Sequence, residues 1–320
     1  MPAQAATYYW DGSTVTIDGI SGGGDGTWSV GTAGWEDGTS AQNWANTNAA
    51  VFAGSGGTVT LTGTPTPTTT TVTAGDYTFS GALGGTGAVT VTGGSLKLIG
   101  AYTNAHTYAI SSGAVLDLNG GGGWSTTTFN GAGTLRLSGG SFSGASAATM
   151  ALSAGGLIDI VSGATLVNPY NSNLRINWTN NKASMTVNGT FDLNDGASPI
   201  VDALNGSGTI SRTRNTNGVT TLQVGVNNGG GTFSGSIPGV SAARSPAILM
   251  LGTGTQTFSG ANTYYATTTI RAGNLVAGSN GAFGNSSIVL GDGSTLAGDL
   301  AADTPGMLPL NVPPPLLTPT

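Results

Sequence analysis

Residues 252–278 read GTGTQTFSGANTYYATTTIRAGNLVAG. Two short runs hold β-branched and aromatic residues, Thr255 to Phe258 and Thr267 to Arg271, with Ser259-Gly260-Ala261-Asn262 between them. Runs this short, bounded by Gly and Asn, read as strand, turn, strand. Strand alternation directs Phe258, Ile270 and Leu275 toward a core and leaves Arg271 in solvent. Thr255, Thr257, Thr268 and Thr269 supply strand faces and ladder contacts. The Asn262-Thr263-Tyr264 turn is expected at a corner, with Asn262 in the left-handed conformation that Asn tolerates.

The arrangement recurs upstream. Leu96-Lys97-Leu98, Leu116-Asp117-Leu118, Leu135-Arg136-Leu137, Ile158-Asp159-Ile160 and Phe191-Asp192-Leu193 each set an apolar pair around a charge. Leu222-Gln223-Val224 is a polar version. In a strand the pair shares one face and the middle residue takes the other. Turns such as Gly93-Gly94, Asn119-Gly120 and Gly139-Gly140 follow. Successive units start about 20 residues apart early in the chain and more widely later, as in a solenoid with loop insertions.

This pattern predicts an all-β chain folded as a right-handed parallel β-helix. Some ten coils would stack at about 4.8 Å, the spacing of hydrogen-bonded strands. The rival is a set of antiparallel hairpins in a sandwich or trimeric fibre, which the repeat spacing disfavours. No segment has a helical period. The Ala-rich stretch from Ser141 to Leu152 comes nearest, and reads equally as strand and loop. Thr64 to Thr71, with Pro65 and Pro67, reads as a turn or edge, because Pro cannot donate to a central ladder.

Composition narrows the classes of function. Fifty-six of 320 residues are Gly, and charged residues make up only 7%. There is no Gly-X-Y period, so collagen is excluded. A hydrophobic content of 38% argues against global disorder. Eight Lys and Arg with a net charge of −6 cannot build the basic footprint that nucleic acid or an anionic membrane surface needs. Cysteine is absent, which removes disulfides and Cys-based metal sites. No run reaches the ~18 apolar residues of a membrane span.

Three segments are expected. Residues 1–55 form a Trp/Gly-rich cap: Trp10, Trp28, Trp35 and Trp44 are four of the six Trp in the chain. The exposed end of a solenoid's first coil must be covered, and large aromatics on Gly-rich loops can cover it. Sugar stacking on exposed Trp is the alternative. Residues 56–300 form the β-helix, and 301–320 a disordered, Pro-rich tail. Ala3-Gln4-Ala5 has the form of a signal cleavage site, but no basic and apolar regions precede it.

The stretch at 252–278 also resembles the autotransporter-associated β-strand repeat of passenger domains. The matching residues are Gly252-Thr253-Gly254-Thr255, Thr257 through Tyr264, Thr268-Thr269-Ile270, Ala272-Gly273 and Leu275. Tyr265-Ala266 departs from the Thr-Gly usual in the family, and Met250-Leu251 precedes the repeat where a polar residue is common. Gly229 to Gly235 and the Trp-rich start extend the likeness loosely. The resemblance implies a Gram-negative source, an extracellular or outer-membrane-associated location, and export through a C-terminal outer-membrane barrel. It implies structural or adhesive display, with host-surface, matrix or glycan ligands as partners. It also implies that the C-terminal coils fold early, so 252–278 should be the best-protected part of the chain. A monomer is expected.

A catalytic site needs a base or nucleophile beside an orienting partner. His106 is the sole His, and nothing near it in sequence makes a triad; it reads as a surface residue in a turn. Parallel β-helices do host polysaccharide lyases and hydrolases that use clustered Asp, alone or with calcium and a basic residue. Asp117, Asp159 and Asp192 recur at the outward strand position, and the same spacing carries Lys97 and Arg136 into their column. The plainer reading is a solvated column of alternating charge. Gly22-Gly23-Gly24-Asp25-Gly26 and Gly291-Asp292-Gly293-Ser294 lack the repeated calcium nonapeptide. No catalytic, metal or cofactor residue is therefore assigned. The alternatives to display are a carbohydrate-active β-helix enzyme and a phage tail-spike or fibre segment.

Overall fold

The computed structural model describes residues 5–100, 105–169, 176–214 and 219–298. Among these residues the chain is β throughout, apart from one 3-10 turn at Ala242–Arg244. The strands stack in parallel as a β-solenoid of about twelve turns, slightly more than the repeat spacing suggests.

The first face runs through Thr7–Trp10, Ala49–Phe52, Thr69–Val72, Ala88–Val91, Thr107–Ile110, Thr128–Gly131, Ala148–Leu152 and Ile176–Asn177. The second runs from Gly26–Trp28 through Ser95–Ile99, Val115–Asn119, the start of Thr134–Ser146 and Leu157–Ile160 to Leu204–Asn205. A third face opens at Gly122–Ser125. Thr134–Ser146 serves both: Leu135 pairs with Leu116 on the second face, and Phe142 with Gly122 on the third. The last coils return to two sheets, one from Ile200–Val201 to Ile288–Leu290 and one from Thr232–Phe233 to Thr295–Gly298.

Period-2 alternation explains the wall. Leu96 and Leu98 point in and are buried, while Lys97 between them points out. In-register neighbours repeat this coil after coil, so the apolar pairs form one continuous core from Trp10 to Phe283. The corners need Gly. At Gly94, with φ 65°, an added Cβ would lie 1.9 Å from the carbonyl oxygen of Gly75 in the coil before, closer than any side chain allows.

The N-terminal end is closed by antiparallel pairing, unlike the rest. Trp35–Glu36 lies between Thr7–Trp10 and Ala41–Gln42. All four Trp of the cap are buried, with Trp35 and Trp44 ring centroids 4.7 Å apart and Trp28 and Phe52 5.4 Å apart. Burial removes these rings from any exposed sugar platform and assigns them to packing.

Several sequence expectations change. Thr69–Val72 is a central strand of the first face, not an edge; Pro65 and Pro67 stop just before it. The Ser141 to Leu152 stretch is strand on both sides of Ala147, which turns the chain with φ 40°. Thr268 points inward with Ile270, whereas Thr269 points out. Asn262 sits in a buried corner but has no left-handed φ. Its side chain instead bridges three coils: Oδ1 accepts from Ile237 N at 2.7 Å, and Nδ2 donates to Ala282 O at 2.6 Å. The Pro-rich tail expected at 301–320 lies outside the described residues.

Candidate functional site

Two groups of ionisable side chains stand out, an outer column and a buried cluster. The column lies on the second face. Lys97, Asp117, Arg136 and Asp159 are direct neighbours across four adjacent strands. Lys97 Nζ is 3.8 Å from Asp117 Oδ2, and Arg136 Nε is 3.0 Å from Asp159 Oδ2. Opposite charges directly across a ladder stabilise each other modestly.

Asp192 does not join them. It lies on the third face, opposite Val167 and Ser211, and is buried. The column continues past Asp159 to Thr186 instead. The three recurrent carboxylates therefore do not assemble. Asp117 and Asp159 stand two coils apart, roughly 10 Å, with the Arg136 guanidinium between them.

Asp192 belongs to a polar cluster that the strand pattern did not reveal. Its Oδ1 accepts from Asn194 N at 2.9 Å and from Thr213 N at 3.0 Å. Beside it Asp195 Oδ1 meets Arg212 at 2.6 Å, and both side chains are fully buried. Arg212 also donates from Nε to Asn194 O at 3.1 Å and from its terminal nitrogen to Ala243 O. Arg214, half exposed, lies 3.9 Å from Asp195 Oδ2. Arg212 thus ties the third-face loop to the 3-10 turn at Ala242–Arg244. Asn194, with φ 48°, turns the chain between the two carboxylates. One available signal was local: in a chain with eight Lys and Arg, two stand at 212 and 214.

His106 is buried, not on the surface. Its Nδ1 is 2.8 Å from Gly87 O and its ring packs against Tyr108, so it staples two coils. At the cap, Asp11, Ser13, Thr14 and Gly22 to Gly24 line a shallow cavity of about 280 Å³. The Asp11 carboxylate is already engaged by Thr16 N at 2.9 Å and Gly22 N at 2.7 Å. Nearby, burial holds the Tyr77 phenol above its ordinary pKa, and the Asp11 charge adds to this. Among the described residues, no three His, Asp or Glu side chains gather as a metal site.

Comparison with protein-family models, curated proteins and solved structures finds no match to this chain.

Proposed function

We propose that this chain is a non-catalytic β-helical display element of a secreted or surface protein, of the autotransporter passenger type that residues 252–278 resemble. The observation that supports this reading is the alternation of Lys97, Asp117, Arg136 and Asp159 on adjacent strands. Each cation stands beside a carboxylate, so the recurrent charges serve the outer wall. On this reading the rod is exported, presents its wall to host-surface, matrix or glycan ligands, and acts as a monomer.

The test is a turnover assay on acidic and neutral polysaccharides, following new reducing ends and unsaturated products. The expected result is no cleavage. Cleavage that disappears in Asp117→Asn or Asp159→Asn would replace the display reading with an enzyme. A trimeric mass in solution would favour the tail-spike alternative.

A further inference from the structure

The first face differs from the second in one respect: its outer wall is uncharged. The strands from Ala49 to Leu152 on that face read AAVF, TTTV, AVTV, TYAI, TFNG and ATMAL. Their outward positions are mainly Thr and Ala. Asp76, Lys97, Asp117, Arg136 and Asp159 all project from the second face.

The threonines also line up across strands, chiefly in one column. Thr107, Thr128 and Thr149 are direct neighbours on three successive strands. Thr69 continues their column beyond Ala88; in the next column Thr71 and Thr90 are neighbours, followed by Ala109, Asn130 and Ala151. Pairing along this face, from Ala49 to Leu152, proceeds without a register shift. The shifts that occur, after Leu118 and after Trp124, lie on the other faces. Neighbours in a column are therefore about 4.8 Å apart, and columns about 6.6 Å apart, over six strands or roughly 24 Å.

We propose that this face binds ice. Oxygen rows on a prism face of hexagonal ice repeat close to the first of these distances and slightly above the second. A β-branched Thr on a strand has little rotamer freedom, so its methyl and hydroxyl are held in place before contact. One hydroxyl–water bond is worth little net; an array in register with a lattice makes many at once. Charged side chains would hold hydration shells of their own, and this wall has none. A sugar ligand fits less well. Sugar platforms use exposed aromatic rings, and all six Trp here are buried. The inference is independent of the display reading: a rod that displays nothing else would still carry this face.

The experiment measures thermal hysteresis and adsorption of the labelled full chain to a single ice crystal. Wild type should shape the crystal, bind it and depress its growth temperature. Thr107→Lys, and separately Thr90→Lys, should lose most of that activity while keeping the wild-type circular dichroism and melting temperature. Thr78→Lys places the same charge on the second face, beside Lys97, and should retain it. If a first-face variant fails to fold, Thr71→Ser, which removes only a methyl, should lower the activity without unfolding the chain. The proposal is overturned if wild type neither binds nor shapes ice, or if Thr78→Lys is as damaging as Thr107→Lys. Retention on microcrystalline cellulose without any effect on ice would overturn it in favour of a glycan.

Discussion

The side-chain amide of Gln256 pairs with both backbone groups of Leu204, two coils away. Nε2 donates to Leu204 O at 2.8 Å, and Oε1 accepts from Leu204 N at 3.1 Å. One N–H and the oxygen of the amide reproduce the donor and acceptor of a peptide group, so Gln256 acts as a substitute strand residue, while Nε2 also donates to Thr257 O at 3.2 Å. The coil between passes through Gly229-Gly230-Gly231. A Cβ at Gly231 would lie 2.7 Å from Leu204 O, in the space this pairing uses.

Gln256→Leu keeps the volume and removes both partners. Each buried backbone group left unpaired costs about 1–3 kcal/mol. The variant should lose about 2–5 kcal/mol in denaturant unfolding, and the amide of Leu204 should lose its protection from exchange.

The two kinds of ion pair should respond differently. Arg136 and Asp159 sit on the wall with Arg136 44% exposed, whereas the Arg212 and Asp195 side chains are fully buried. Solvent screens the first pair, so Arg136→Gln should change stability by less than ~1 kcal/mol. Arg212→Met leaves a buried carboxylate without its main counter-charge and should cost about 3–5 kcal/mol. Equal effects in equilibrium unfolding would contradict the burial assigned to the second pair.

Phe258, Ile270 and Leu275 are fully buried, and Arg271 is exposed. Phe258→Ala or Ile270→Ala should each cost about 2–5 kcal/mol, because the lost transfer energy adds to that of the cavity left behind. Arg271→Ala should change the unfolding midpoint hardly at all.

Alkaline pH tests the interior of the same repeat. Burial raises the pKa of Tyr264 above the ordinary 10.0, and its hydroxyl is 2.7 Å from Thr268 Oγ1. The unfolded chain ionises this phenol first. Its stabilising contribution is complete below the unfolded value and declines as pH rises toward the folded one. Stability should therefore begin to fall as pH approaches the ordinary tyrosine value of 10.0 and keep falling above it. Tyr264→Phe should reduce that slope, with Tyr77 retaining its own share.

The wall of this fold was legible in the sequence because a period of two writes the inside and outside of each strand directly. Lys97, Asp117, Arg136 and Asp159 could be placed in one column on spacing alone. Asp192 could not. The same apolar-x-apolar pattern recurs on every face, and once a third face opens at Gly122 the spacing no longer says which face a unit occupies. Buried polar staples were equally hidden. His106, Asn262 and Gln256 bond to backbone groups of other coils, and nothing local marks those partners. The Arg212 and Asp195 pair has the same character, since its geometry depends on the loop at Ala243. Packing as the use of Trp10, Trp28, Trp35 and Trp44 was readable because large apolar side chains most often serve it, and all four are buried.

Hydrogen exchange along the ladders tests the proposed display role most directly, since such a rod needs a well-protected ladder and the resemblance of residues 252–278 implies that they are its best-protected part. The strands Thr255–Phe258, Thr268–Ile270 and Asn274–Ala277 each have a parallel neighbour on both sides. They should exchange at least as slowly as those of Ala88–Val91 and Ser95–Ile99. Faster exchange at 252–278 than at 88–99 would contradict the protection that the resemblance implies for these coils.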